Sequence, residues 1–101
     1  MKPSDAEAPW SVAEHRFDAA HPTAAGHFPG NPIIPGALLL DQVLRVIGLD
    51  TADVPVAKFL APVRPGEPIE IRWRENAAGT IAFECRTGDT LALSGSARGV
   101  P

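Results

Sequence analysis

The stretch HFPGNPIIPGALLLD, which runs from His27 to Asp41, joins a loop of restricted shape to the start of a helix. Its first ten residues hold three prolines and two glycines, and each proline fixes a backbone angle. After Gly36 the apolar residues cover nearly the whole circumference of a helix, which is typical of a buried central helix. The pattern therefore predicts a helix over residues 37–47, ended by Gly48.

The rest of the chain alternates between apolar and polar residues, which predicts strands separated by Pro/Gly turns. Residues 18–35 are predicted to form a long loop, and loops of that length in compact domains are usually functional. One helix and about five antiparallel strands pack most economically as a curved sheet wrapped round the helix, the α+β hotdog fold. The predicted strands are 10–17, 54–60, 69–74, 80–86 and 90–97.

Composition sets simple bounds on the class of protein. With 101 residues, the chain is expected to form one domain over residues 10–101, after a loose tail over residues 1–9. A net charge of −3 gives no overall attraction to nucleic acid or anionic membranes. The N-terminus lacks the apolar core of a signal peptide, and no apolar run is long enough to span a bilayer, so a cytoplasmic protein is expected. The single cysteine, Cys85, is expected to be a buried small hydrophobe.

The stretch from His27 to Asp41 resembles the active-site segment of the FabA/FabZ family of 3-hydroxyacyl-acyl carrier protein dehydratases. Residues 58–67, KFLAPVRPGE, resemble that family's second recurrent segment, in which a strand enters a Pro-Gly turn. The resemblance implies loss of water from a 3-hydroxyacyl thioester to give a trans-2-enoyl thioester, with no cofactor and no metal. It also implies an acyl carrier protein as partner and a dimer in which the histidine of one subunit faces the acid of the other. A heterodimer with a related subunit stays open, and the short chain resembles compact dehydratases of specialised pathways.

Three positions carry the chemistry in this interpretation. His27 is the candidate base, because a neutral imidazole with a pKa of about 6.5 accepts a proton near neutral pH. The resemblance implies that it removes the α-proton and that the Ile33 carbonyl selects its tautomer. The Gly36 amide lies at the start of the helix, where unpaired N–H groups favour negative charge on the thioester oxygen. The alternatives are a histidine that only fills a loop and a glycine that only serves a turn.

Asp41 is the candidate acid. Apolar neighbours one helical turn away favour its protonated form, which suits proton donation to a departing hydroxyl. The alternative is an ion pair with Arg45 on one face of the helix. Family members commonly place a glutamine where this chain has Arg45, and a paired guanidinium favours the ionised carboxylate. Many family members also carry glutamate rather than aspartate as the acid, and the aspartate form resembles a subgroup that can isomerise its product.

The remaining assignments concern substrate and partner. Phe28, Ile33 and Pro35 are predicted to position the substrate. Basic residues are predicted to dock the acidic carrier protein, although each is also explained as a solvated strand charge. The alternative functions are a hotdog acyl thioesterase and a non-catalytic carrier-binding subunit of a heterodimer. The predicted docking residues are Lys58, Arg64, Arg72, Arg74 and Arg98.

Overall fold

The structure is a computed structural model that describes residues 9–18, 33–49, 51–76 and 79–99. Across these residues it contains one helix and five strands, as the sequence pattern predicted, with element ends that differ only slightly. The hotdog arrangement is confirmed. In chain order the elements are β1 (Ser11–Arg16), α1 (Gly36–Ile47), β2 (Ala52–Phe59), β3 (Pro68–Glu75), β4 (Ile81–Thr87) and β5 (Thr90–Gly99).

The five strands form one antiparallel sheet in the order β1-β3-β4-β5-β2. The two edges of this sheet are therefore β1 and β2. Pairing between β2 and β5 shifts register between Asp53 and Val56. Pro55 lies within this irregular stretch and has no N–H group to donate to a neighbouring strand. β2 therefore lacks one main-chain donor near its centre.

The core lies between α1 and the inner face of the sheet. Leu39 and Val43 are the two buried residues of the helix, and they are 3% and 0% exposed. Leu38, Leu40 and Leu44 are only partly buried, so this chain alone covers one side of the helix rather than most of it. The sequence predicted a helix buried on most sides, whereas within this chain only one side is fully buried. The sheet and loops complete the core with Phe17, Ile34, Val63, Ile69, Ile71, Phe83, Cys85, Ala92, Leu93 and Ala97.

The end of α1 is fixed by a glycine, as predicted. Gly48 has φ 94°, a left-handed conformation that L side chains rarely adopt. The Gly48 amide donates to the Arg45 carbonyl at 3.1 Å, and the Leu49 amide donates to the Leu44 carbonyl at 2.9 Å. This pair of hydrogen bonds is the Schellman arrangement, which satisfies carbonyl groups left open at a helix end.

Two core positions of the sheet have specific consequences. Cys85 is fully buried, as expected, and burial raises the pKa of its thiol to about 11. The thiol therefore stays protonated near neutral pH and is a packing group rather than a nucleophile.

Gly95 of β5 lies where a Cβ would stand 2.8 Å from Cζ of Phe83 and would overlap the backbone carbonyl of Val56. This site leaves no room for a side chain.

Candidate active site

The helix start presents two open amides. Pro35 is the N-cap residue, and its carbonyl accepts hydrogen bonds from the amides of Leu38 and Leu39, both at 3.0 Å. No side chain caps the helix, and the amides of Gly36 and Ala37 have no acceptor among the described residues. Free N–H groups at a helix start, together with the helix dipole, favour an anion or a developing oxyanion.

An apolar groove of about 320 Å³ opens beside this helix start. Its walls come from the residues that enter α1 and from the connection between β2 and β3. The Ile34 amide donates to the Val63 carbonyl at 2.7 Å and ties the two segments together. The groove is lined by Ile33, Ile34, Gly36, Leu39, Phe59, Leu60, Ala61, Pro62 and Val63.

Gly36 joins the groove to the open amides, and its lack of a side chain is required there. A Cβ at Gly36 would lie 2.9 Å from Cε1 and 3.0 Å from Cδ1 of Phe59. The aromatic ring therefore packs directly against the glycine. Because glycine has no Cβ, the Phe59 ring can lie against the backbone of the helix start and form a wall of the groove there.

Asp41 lies on the opposite side of α1 from the buried face. Its side chain is 54% exposed, and its Oδ2 accepts a hydrogen bond from Nε of Arg45 at 2.8 Å. Asp41 does not line the groove. The structure thus contains the i,i+4 ion pair that was the alternative interpretation of Asp41. Within a single subunit the carboxyl group is exposed and paired, rather than surrounded by apolar side chains as predicted.

The Asp41–Arg45 pair is expected to add little to stability. Arg45 is 72% exposed, and solvent-exposed i,i+4 ion pairs on a helix contribute about 0.3–0.5 kcal/mol to stability. We expect Arg45→Ala to lower the free energy of unfolding by no more than about 0.5 kcal/mol in urea titrations. Arg98→Ala is a matched control, because Arg98 forms an exposed pair with Asp53 at 3.2 Å. A loss above about 1 kcal/mol for Arg45→Ala alone would contradict this expectation.

Of the other predicted site residues, the structure describes Ile33 and Pro35. Ile33 lines the groove, whereas Pro35 caps the helix and does not line it. His27 and Phe28 lie outside the described residues, so the predicted base and one predicted positioning residue stay predictions.

The five predicted docking residues do not gather round the groove. Residues opposite each other across the strands form the row Val12, Arg72, Glu84, Ser94 and Lys58, on the face of the sheet opposite the helix.

Three of the predicted docking residues contact neighbouring side chains. Arg72 and Arg74 stack on Trp10, with guanidinium carbons 4.6 and 4.4 Å from the ring centroid. Arg98 pairs with Asp53. Arg64 and Lys58 both adjoin a groove residue along the chain, but Lys58 lies on the opposite face of the sheet, which leaves Arg64 nearer to the groove.

Sequence reasoning missed part of the groove wall. Phe59, Leu60 and Val63 line the groove, yet the sequence analysis assigned no role to them. They belong to the second family-like segment, residues 58–67, and that resemblance was the available signal.

Comparison with known proteins agrees with this fold. A curved antiparallel sheet that packs against one central helix defines the hotdog class of proteins. The family model for ApeI-like proteins, described as ApeI dehydratase, matches residues 4–96. The chain belongs to this ApeI-like dehydratase family.

Individual curated relatives are dehydratases of the FabZ type. The chain is 30% identical over 79 residues to the 3-hydroxyacyl-[acyl-carrier-protein] dehydratase FabZ of Haemophilus influenzae, and the match covers 64% of this chain and 53% of that protein. The chain therefore spans about half the length of the curated relatives that it matches.

Solved structures confirm the fold. The dehydratase heterocomplex ApeI:P from Xenorhabdus doucetiae superposes with a TM-score of 0.73 at 21% identity, over 88% of this chain and 85% of that chain. The fluoroacetyl-CoA thioesterase FlK superposes with a TM-score of 0.59 at 9% identity, over 88% and 82%. Within the described residues, no helix has the length and hydropathy needed to cross a membrane.

Proposed function

We propose that this chain removes water from a 3-hydroxyacyl thioester and forms a trans-2-enoyl thioester. The observation that carries the proposal is the helix start, where the open amides of Gly36 and Ala37 adjoin an apolar groove. Amides in this position stabilise a carbonyl oxygen that gains negative charge, and the groove suits an acyl chain. Membership of the ApeI-like dehydratase family supports the same reaction class.

The proposed reaction needs a base, an oxyanion donor and an acid. His27 takes the proton from the carbon next to the thioester carbonyl, and the electron pair of the broken C–H bond forms the new double bond. The Gly36 amide donates to the carbonyl oxygen while charge develops there. The C–O bond at the third carbon breaks, and the hydroxyl leaves as water with a proton from the Asp41 carboxyl of a second subunit, a step that requires this carboxyl to be protonated and released from Arg45. No cofactor enters this balance.

The position of Asp41 favours a site completed by a second subunit. Asp41 lies on the exposed side of α1, away from the groove that adjoins Gly36 of the same chain. Leu38, Leu40 and Leu44 are only partly covered on that helix, and Phe59 is 52% exposed at the end of an edge strand. A partner subunit that covers this surface would bring its carboxyl group to the groove.

The second subunit is proposed to be another copy of this chain. A related but different subunit is the alternative, because the structurally similar ApeI:P is a heterocomplex. The acyl chain is proposed to arrive on an acyl carrier protein, since the matched relatives act on carrier-bound substrates by name. Arg64, beside the groove, is the best placed of the predicted docking residues.

One assay tests the reaction. The purified protein is incubated with 3-hydroxyacyl carrier protein, and the products are separated by mass. We expect a loss of one water from the acyl group with the thioester intact. Release of a free acid would instead establish the thioesterase alternative, which the likeness to FlK in fold supports. If neither product forms, with or without an added related subunit, the chain is a non-catalytic binding subunit and the proposal fails.

A further inference from the structure

We infer that Phe59 is a specificity-determining residue, whose ring sets the length of acyl chain that the groove accepts. This inference rests on the proposed function, because it assigns the groove to the acyl part of the substrate. The ring of Phe59 forms one wall of the groove and touches Gly36, at the point where the thioester carbonyl would meet the helix start.

The contact with Gly36 fixes where the ring stands. Three ring atoms, Cε1, Cδ1 and Cζ, lie 2.9, 3.0 and 3.3 Å from the position of a Cβ on Gly36. The ring thus occupies the space that any other residue at position 36 would need. An acyl chain that leaves the helix start must pass alongside this ring, so the size of residue 59 controls the space available to the chain.

The backbone beneath the ring is held independently of the side chain. Phe59 pairs with Leu93 of β5, and the next residue, Leu60, donates its amide to the Ala92 carbonyl at 2.8 Å. The side chain lines the groove and is 52% exposed, so about half of its surface is not packed against this chain. A smaller residue at position 59 therefore enlarges the groove and leaves the strand in place.

The groove volume makes this wall decisive. About 320 Å³ lies at the lower end of the range for ligand sites, so the loss of an aromatic ring from the wall would enlarge the groove appreciably. In apolar pockets one methylene group changes selectivity by about 10–200-fold. Removal of an aromatic ring opens space for several methylene groups, so the preference for chain length should move towards longer chains.

The test compares Phe59→Ala and Phe59→Leu with the unchanged protein on 3-hydroxyacyl N-acetylcysteamine thioesters of short, medium and long chains. We expect the ratio of kcat/KM for long over short chains to rise at least about tenfold in Phe59→Ala and less in Phe59→Leu. Val12→Ala is the matched control, because Val12 is 55% exposed on the strand at the other edge of the sheet. Its ratio should equal that of the unchanged protein.

A binding measurement separates this inference from the proposed function. Saturated acyl N-acetylcysteamine thioesters of the same chain lengths are titrated, and the amide chemical shifts of Leu39 and Val63 are followed. If the unchanged protein binds these probes but does not turn over the hydroxyacyl series, the dehydratase proposal fails. The chain-length preference of Phe59→Ala in binding then still tests whether the Phe59 ring sets the acyl length. An unchanged preference in Phe59→Ala, by turnover or by binding, overturns the inference, as does a failure of every probe to bind.

Discussion

Replacing His27 with alanine is expected to lower turnover of a 3-hydroxyacyl thioester by at least about a hundredfold, the lower end of the effect of losing a general base. The α-proton of a thioester is weakly acidic, and water supplies no positioned base in place of the imidazole. The open amides at Gly36 would still bind the substrate carbonyl, so KM should change far less than kcat. Steady-state kinetics of the enoyl product measures both constants.

His15→Ala is the matched control for this experiment. The His15 ring packs edge-on against Phe17, with ring centroids 4.8 Å apart, and does not line the groove. This variant should keep most of the turnover. Circular dichroism and gel filtration establish that both variants fold and assemble alike. Turnover retained by folded His27→Ala would refute the assignment of His27 as the base.

Gly95→Ala is expected to destabilise the fold by at least about 3 kcal/mol, the upper part of the usual range for an overfilled core. The new Cβ would meet Cζ of Phe83 and the backbone carbonyl of Val56. Neither neighbour yields easily, since Phe83 is 1% exposed and the carbonyl belongs to the strand paired with β5. The loss is measured as the free energy of unfolding in urea or as a lower Tm.

Gly99→Ala is a close control in the same strand. A Cβ there would lie 3.6 Å from Cδ2 of Leu49, which is an ordinary contact. That variant should unfold at nearly the denaturant concentration of the unchanged protein. Equal stability of the two variants would mean that β2 and β5 tolerate a wider separation than the structure shows.

The sequence predicted the elements well because their signals are local. The apolar periodicity after Gly36 and the left-handed Gly48 bound the helix, and the two-residue alternation marks strands such as β3. Each of these patterns depends on neighbours within a few residues, so it needs no knowledge of the partner element.

The site was harder to predict because it depends on packing between distant segments. The helical neighbours of Asp41 are mostly apolar, yet its exposure is decided by which side of α1 meets the sheet, and Leu39 and Val43 decide that. Phe59 reaches Gly36 only through the path of β2 beside the helix start. No spacing within the chain encodes such a contact.

The basic residues illustrate the same limit. Alternation along β3 predicts that Arg72 and Arg74 share one face of the sheet. Their common contact with Trp10, and the face that they occupy relative to the groove, follow from the pairing of β1 with β3. The cross-strand register therefore places the basic residues in separate groups, although they were predicted to form one docking surface.

The proline and the register shift within β2 bear on whether copies of this chain can add to one another edge to edge. A long, regular, apolar border would let copies add one after another into fibrils. Pro55 removes a donor from the middle of that border, and the irregular pairing between Asp53 and Val56 bends the strand locally. Only a short run beyond the proline is left for regular main-chain pairing, which disfavours endless growth.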